Sequence, residues 1–418
     1  MAARSTGASD HAPRSLVAVV GWGVAATYLG WPQLLARLPL GLALKNDLAL
    51  APQQVAAFWA VATLPWYLKP LAGLVADASS RAGRRRGSLV LGSLAGALAW
   101  LAFAVVPRGY AALLVVAVGV NVALVFVSAT VGGLLSEVGQ RHGATGRLSS
   151  LRQITVGAVN LGAGPMGGWL AGRAFGWTVG LGASIVGSFA PVVLTLVREG
   201  DAPRSARPVV GARVRETLRS RATLTAAALV FLFYVAPGLQ TPLLYYQQDV
   251  LHFDPLFMGV LQTWAGAGVI IGASIYAIVC RFVPLRWSLP VGVVLSAATT
   301  LGYLGYDSRT SAIVIHFLTA ITGTMAVLPV YDVAARAAPE GSEGFGYSFI
   351  LAMQTLATYA VSDVIGSYLY GRLHVGFARL VWVDALTTLA VLLFLPAVPR
   401  ALLAARDGEG HEAAGSSK

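Results

Sequence analysis

Cysteine is almost absent from the 418 residues, with Cys280 the single example, and this excludes a disulfide framework or a cysteine-built metal site. Charge is scarce as well. Asp, Glu, Lys and Arg make up 11% of the chain, against about 25% in an average soluble domain, so neither a disordered chain nor a soluble multi-domain enzyme fits. Lysine is nearly missing: only Lys45, Lys69 and Lys418 occur among 30 basic residues. There is no H-E-x-x-H, Walker loop, serine elbow or cysteine–histidine metal spacing, so the sequence predicts no enzyme, no catalytic residue, no metal and no cofactor. It also has no soluble stretch long enough for a nucleotide-hydrolysing domain. Any work it does must draw on an ion gradient, the solute's own gradient, or exchange.

What is abundant is hydrophobicity, at 56% of residues and a mean hydropathy of +0.69. A spanning helix needs about 20 apolar residues. Twelve spans can be drawn, roughly at 16–40, 53–77, 87–106, 110–138, 148–173, 176–197, 222–246, 254–280, 287–304, 310–335, 343–370 and 377–397. The expected fold class is therefore an all-α membrane protein of twelve transmembrane helices in two pseudo-symmetric six-helix bundles. A polar N-terminal tail covers 1–14, the first bundle 15–197, a basic linker 198–221, the second bundle 222–398 and a polar tail 399–418. The net charge of +12 sits between the hydrophobic segments and forms no aromatic-laced basic face, which argues against nucleic acid. With the N-terminus in the cytoplasm, inside segments hold 21 Lys/Arg and outside segments 7, as the positive-inside rule requires. Both termini are thus expected in the cytoplasm. The arginine excess and abundant alanine suit a high-GC bacterium, hence its inner membrane, with a monomer as the expected form.

The first inside loop runs GLVADASSRAGRRRG from Gly73 to Gly87. Gly73 permits close helix contact. Asp77 stands at a helix C-terminus, where the macrodipole disfavours a carboxylate, so it needs a donor from Arg84, Arg85, Arg86 or another helix. The alternative is that these arginines only set topology. Gly73-x3-Asp77-x3-Arg81 is echoed by Gly272-x3-Tyr276-x4-Arg281, 199 residues between the glycines. Two such parallel halves resemble the organisation of major facilitator transporters, whose substrate site lies near the midplane between them. In that reading Gly73, Asp77 and Arg84–Arg86 act in gating.

Longer stretches narrow the resemblance. LKNDLALAPQQV (44–55), PWYLKPLAGLVAD (65–77) and GRRRGSLVLGSLAGALAW (83–100) resemble the folate–biopterin transporter family, as do LYYQQDVLHFD (244–254), GASIYAIVCRFVPLR (272–286) and PEGSEG (339–344). The resemblance implies a secondary transporter, a symporter by the family's habit, working by alternating access on a folate- or pteridine-like solute. One departure stands out. Where the family commonly has D-x3-D-x4-E in helix 4, this chain has Ser128, Gly132 and Glu137. The two missing acids put pteridine specificity and the usual proton handling in question. Other solutes, such as a cell-wall fragment or sugar conjugate, fit the shared helix 2–3 signature, and a non-transporting assembly factor or sensor on the same scaffold is a further alternative.

A charge at membrane depth costs about 2.5–3.5 kcal/mol on insertion scales and usually faces a cavity or a partner. Lys69 lies eight residues before Asp77, about 12 Å deeper at 1.5 Å per residue. It reads as a fixed positive charge for an anionic substrate, or else as half of an internal ion pair. Arg152 offers a bidentate fork or a rim salt bridge to Glu137. Trp66, Tyr234, Gln262 and Gln354 offer stacking and hydrogen bonding for a flat solute. Asp332, four residues before Arg336, and Glu137 are the candidate proton carriers. His316 reads as a satisfied core histidine. GAGPMGG (162–168) reads as a packing and bending site.

Overall fold

The structure is a computed structural model that describes residues 14–81, 85–141, 145–197, 214–215, 218–337 and 343–399. Among them every regular element is helical. Eight described helices are each long and apolar enough to cross a membrane. In chain order these are α7 (Arg85–Val105), α8 (Tyr110–Arg141), α10 (Phe175–Gly187) with α11 (Phe189–Leu196), α14 (Pro255–Phe282), α15 (Leu285–Thr300), α16 (Arg309–Arg336), α17 (Glu343–Thr355) continued by α18 (Asp363–Gly371), and α19 (Phe377–Ala390).

The other four expected spans take broken or mixed forms, and proline explains most of the breaks. The first is α1 (Arg14–Leu29), α2 (Pro32–Leu35), α3 (Arg37–Leu42) and a π-helical turn Ala43–Asp47. Pro32 cannot donate to the helical ladder, so the chain breaks at Gly30 and Trp31. Gly30 is required there, because a Cβ would overlap the Val186 side chain. The freed Gly30 carbonyl accepts a 2.9 Å bond from the fully buried Trp100 indole. The second span is α4 (Pro52–Ala62), α5 (Leu64–Tyr67) and α6 (Lys69–Arg81), interrupted beside Pro65 and Pro70. The fifth is α9 (Thr145–Ala171), polar in its first half. The seventh is α12 (Arg221–Tyr234), α13 (Gln240–Tyr245) and a second π-helical turn, Tyr246–Val250.

The ends of the first and seventh spans repeat one another. Each π-helical turn is followed two residues later by a left-handed residue, Ala49 (φ 49°) and His252 (φ 52°). Each left-handed residue is followed three residues later by a helix-opening proline, Pro52 and Pro255. Non-glycine residues seldom adopt positive φ, so the coincidence marks an internal repeat at an offset of 203 residues. At that offset Lys69 corresponds to Gly272 and Gly73 to Tyr276, so the glycine echo read from the sequence is displaced by about one helical turn.

The end of the bundle where the first span closes, at the π-helical turn Ala43–Asp47, is the distal end. Across the interface between the sequence halves, α9 packs along α14, and α5 and α6 pack against α17. The GAGPMGG stretch makes the first contact possible. A Cβ on Gly259 would lie 2.5 Å from the Gly164 carbonyl, and one on Gly168 would lie 2.7 Å from that of Pro255.

Candidate functional site

The break in the second span places Trp66 at the end of α5 and Lys69 at the start of α6. Lys69 donates to Ser128 Oγ at 3.3 Å and lies 5.1 Å from the Trp66 ring centroid. No carboxylate of a described residue comes within 4.0 Å of it. Its charged neighbour is another cation, Arg152. Arg152 in turn reaches the Tyr28 hydroxyl at 3.1 Å, with the Tyr28 ring centroid 5.9 Å away. Ser128, one of the neutral positions that depart from the family pattern, is thus the residue that faces the lysine.

Above Lys69, on the distal side, stands an aromatic wall. Asn121 is fully buried on α8, and its Oδ1 accepts from Trp66 Nε1 at 2.7 Å and Trp31 Nε1 at 2.9 Å. Its amide nitrogen is spent on the Ala117 carbonyl at 2.9 Å, so the acceptor is fixed toward the indoles. The two indoles are tilted with centroids 5.2 Å apart. From the other half, Tyr359 meets Trp31 edge-on at 5.9 Å. Tyr359 lies in a π-helical segment, Leu356–Ser362, between α17 and α18, and π segments concentrate at functional sites. Its hydroxyl makes no hydrogen bond with any described residue. Trp31, Trp66, Lys69, Arg152, Gln354 and Tyr359 are each half-buried.

The other expected site residues are dispersed. Gln354 lies in the last turn of α17, two residues before the π segment, and makes no hydrogen bond to a described residue. Tyr234 meets Tyr331 hydroxyl to hydroxyl at 3.0 Å. Gln262 is exposed on α14, beside the α9 contact. Among the described residues Gly73 has no neighbour within 4 Å of its Cβ position. Arg86 donates to the Leu194 carbonyl at 2.8 Å and so caps α11 in its own half. Arg85 and Asp332 are both engaged in interactions. Arg84 and the side chains of Asp77, Glu137 and Arg336 lie outside the described residues. His316 is buried with Nε2 3.0 Å from the Tyr306 hydroxyl, and among the described residues no group of three or more acids, histidines and cysteines could hold a metal. A cleft of about 380 Å³ between α6, α7 and α8 is lined by Val75, Leu91, Val122 and Phe126. Leu91 there is 70% exposed, so this cleft is part of the apolar outer surface rather than the site.

The sequence reading missed a second cluster, at the distal end. Arg37 on α3 donates to Asp363 Oδ2 at 3.1 Å and to Thr241 Oγ1 at 3.2 Å, both in the other half. Lys45 pairs with Asp249 and bonds Gln248 at 2.8 Å. The Tyr245 hydroxyl donates to the Leu50 carbonyl. The two repeated π-helical turns therefore meet one another, and the distal end is shut. In the sequence Arg37 and Lys45 count only as outside charges; the one signal was that Arg37 falls inside the expected span 16–40, whereas Lys45 falls between spans.

Residues 30–416 match the BT1 family. The chain is 28% identical over 387 residues to a folate-biopterin transporter of Synechocystis sp., covering 87% of this chain and 77% of that one. Among solved structures it resembles a D-xylose-proton symporter with a TM-score of 0.72 at 14% identity, covering 93% and 98% of the two chains. It also resembles a mutant form of the nucleoside transporter NupG with a TM-score of 0.66 at 11% identity, covering 93% and 99%. At such identities the structural likeness shows the major facilitator fold and no more.

Proposed function

The chain belongs to the BT1, or folate–biopterin transporter, family, and from that premise we propose that it is a secondary transporter for an organic anion with a flat aromatic part. The observation that carries this reading is the environment of Lys69. A cation at membrane depth, beside a second cation and facing, among the described residues, a hydroxyl and an indole, offers its charge to an incoming solute. Trp31, Trp66 and Tyr359 supply faces and edges for a conjugated ring next to that charge. A pteridine bearing a carboxylate, as in the folate-biopterin relative's name, has this chemistry. Parts of the site come from both halves of one polypeptide, so a single chain suffices, and rocking of the halves would expose the site alternately to each face. The Lys/Arg asymmetry supports an orientation with both termini in the cytoplasm, and the arginine and alanine excess suits a bacterial inner membrane; in that orientation the shut distal end faces outward. Coupling to protons would fall to Asp332 or Glu137, since Ser128 and Gly132 cannot carry them.

The test is uptake of labelled folate and biopterin into proteoliposomes, with and without a pH gradient, comparing the wild type with Lys69→Ala. The reading expects saturable uptake of the carboxylate-bearing pteridine that the variant loses. Uptake unaffected by the substitution rejects the role of Lys69. No uptake of either pteridine, with transport of a sugar conjugate instead, rejects the aromatic anion.

A further inference from the structure

The charge of Lys69 is not balanced from within the bundle. Among the described residues its contacts are Ser128 Oγ and the Trp66 ring, and its charged neighbour is Arg152. Acids set within helices of the other half are held elsewhere. Asp363 is fully buried on Arg37 and Thr241, Asp384 lies beside Thr388 and Tyr303, and Asp332 has interactions of its own. The repeat supplies no counter-charge either, since the position matching Lys69 is Gly272, packed against Ile321 and Thr324. On the distal side the charge is walled by Trp31 and Trp66 from one half and Tyr359 from the other. Asn121 already takes both indole N–H groups, so the wall presents ring faces rather than a counter-ion.

Rocking between two open states passes through an arrangement in which the halves close over Lys69 from both sides and water is squeezed out. An ion left there without a partner is strongly disfavoured, whereas a matched pair is tolerated. The loaded protein makes that passage with the solute's carboxylate on the ammonium; the unloaded protein makes it with a bare charge. Resting on the transporter reading above, we propose that the protein is an obligatory anion exchanger, which rocks only with an anion on Lys69, so that one anion enters for each that leaves. The driving gradient is that of a second solute bearing a carboxylate or phosphate, and no proton carrier is required, in keeping with the neutral Ser128 and Gly132. Ser128 sets this mode. Its hydroxyl meets the ammonium without neutralising it; a carboxylate there would travel with the lysine and let the unloaded protein return alone.

The test follows labelled folate out of proteoliposomes that carry the full chain and are loaded to saturation. Efflux into buffer with unlabelled folate is expected to run at least about tenfold faster than into buffer without it, the ratio given by about 1.4 kcal/mol between the loaded and unloaded passages. In Ser128→Asp the two rates should become equal. Wild-type efflux that ignores external folate overturns exchange, as does net uptake into folate-free vesicles driven by a pH gradient alone. A second measurement needs no solute. In a Cys280→Ser background, Leu50→Cys lies half-buried at the distal end, where an impermeant maleimide applied from that side reaches it on opening. At reagent concentrations where the rate has levelled off, labelling reads the opening rate of the unloaded protein. Ser128→Asp and Lys69→Met are each expected to raise that rate at least about tenfold. Rates unchanged in both overturn the proposal, and if Lys69→Met fails to fold, Lys69→Gln carries the same reading. A rate that rises as expected beside folate that is never carried rejects only the substrate reading, whereas folate carried with no dependence on external folate rejects only exchange.

Discussion

Arg37 and Lys69 are both cations set within helices of the N-terminal half, yet the protein treats them oppositely. Arg37 is given a carboxylate, a hydroxyl and an indole face. Among the described residues Lys69 is given a hydroxyl and an indole face, with a second cation nearby. The helices differ accordingly. α3 ends in a π-helical turn that meets its repeat in the other half, whereas the α5–α6 break presents Lys69 toward a wall of half-buried aromatic rings. A charge supplied with a resident anion joins two bodies; a charge left without one among the described residues is, on the proposed function, a binding pole. The repeat sharpens the contrast, since the position matching Lys69 is Gly272, which packs on Ile321. The pole exists in one half only.

The widest separation between the two should appear on deleting the anion. Asp363→Ala takes away the Arg37 partner and the acceptor for Thr241 N–H together, so it is expected to lower unfolding stability in detergent by about 1–3 kcal/mol, the cost of leaving that buried N–H unsatisfied. Lys69→Met should do the reverse. Removing a charge that costs about 2.5–3.5 kcal/mol to insert raises stability, while uptake of the aromatic anion falls to background. A Lys69→Met protein that melts lower than the wild type would reveal a resident counter-charge and erase the distinction.

A third substitution should convert one kind of cation into the other. Ser128→Asp places a carboxylate beside the Lys69 ammonium and makes it resemble Arg37. The expected result is a KM for the anion raised at least about tenfold, or about 1.4 kcal/mol, with the protein still folded. Ser128→Ala, which leaves the charge uncompensated, should transport nearly normally. Equal KM values for the two variants would mean that the solute does not feel this charge.

These differences were unevenly legible in the sequence. The helical class and the depth of Lys69 could be read from hydropathy and the helical rise, because both are one-dimensional quantities. Trp66 and Lys69 were each legible as candidate site residues, but their contact appears only in the structure. Trp31 and Asn121 were not legible as a pair, since they are 90 residues apart and meet only through the break at Gly30–Pro32. Asp363 could be read as a buried acid but not as a partner of Arg37, 326 residues away. The register of the repeat also escaped, because it is written in backbone conformation, in Ala49 and His252, rather than in shared residue types.

The smallest effect belongs to a third charged pair that is neither joint nor pole. Asp254 caps α14 by accepting from Phe257 N–H at 2.9 Å and pairs with Arg309 at 2.7 Å, with both side chains about half exposed or more. The Phe257 N–H above all, with help from Arg309, holds the Asp254 carboxyl below its ordinary range against the opposing effect of burial. Its contribution is therefore present above the ordinary carboxylate pKa and is lost as pH falls through the lowered folded value. Asp254→Ala is expected to cost about 1 kcal/mol, the usual worth of an N-cap, with little sensitivity to salt because the cap rather than the ion pair carries it. Arg309→Ala should cost less still, as exposed pairs contribute about 0–1 kcal/mol. Uptake should be unchanged in both, since this pair ties α14 to α16 within one half and does not cross the interface that Arg37 closes. A transport defect in either would mean that exposed distal charges steer the solute, and the division between joint and pole would then need a third role.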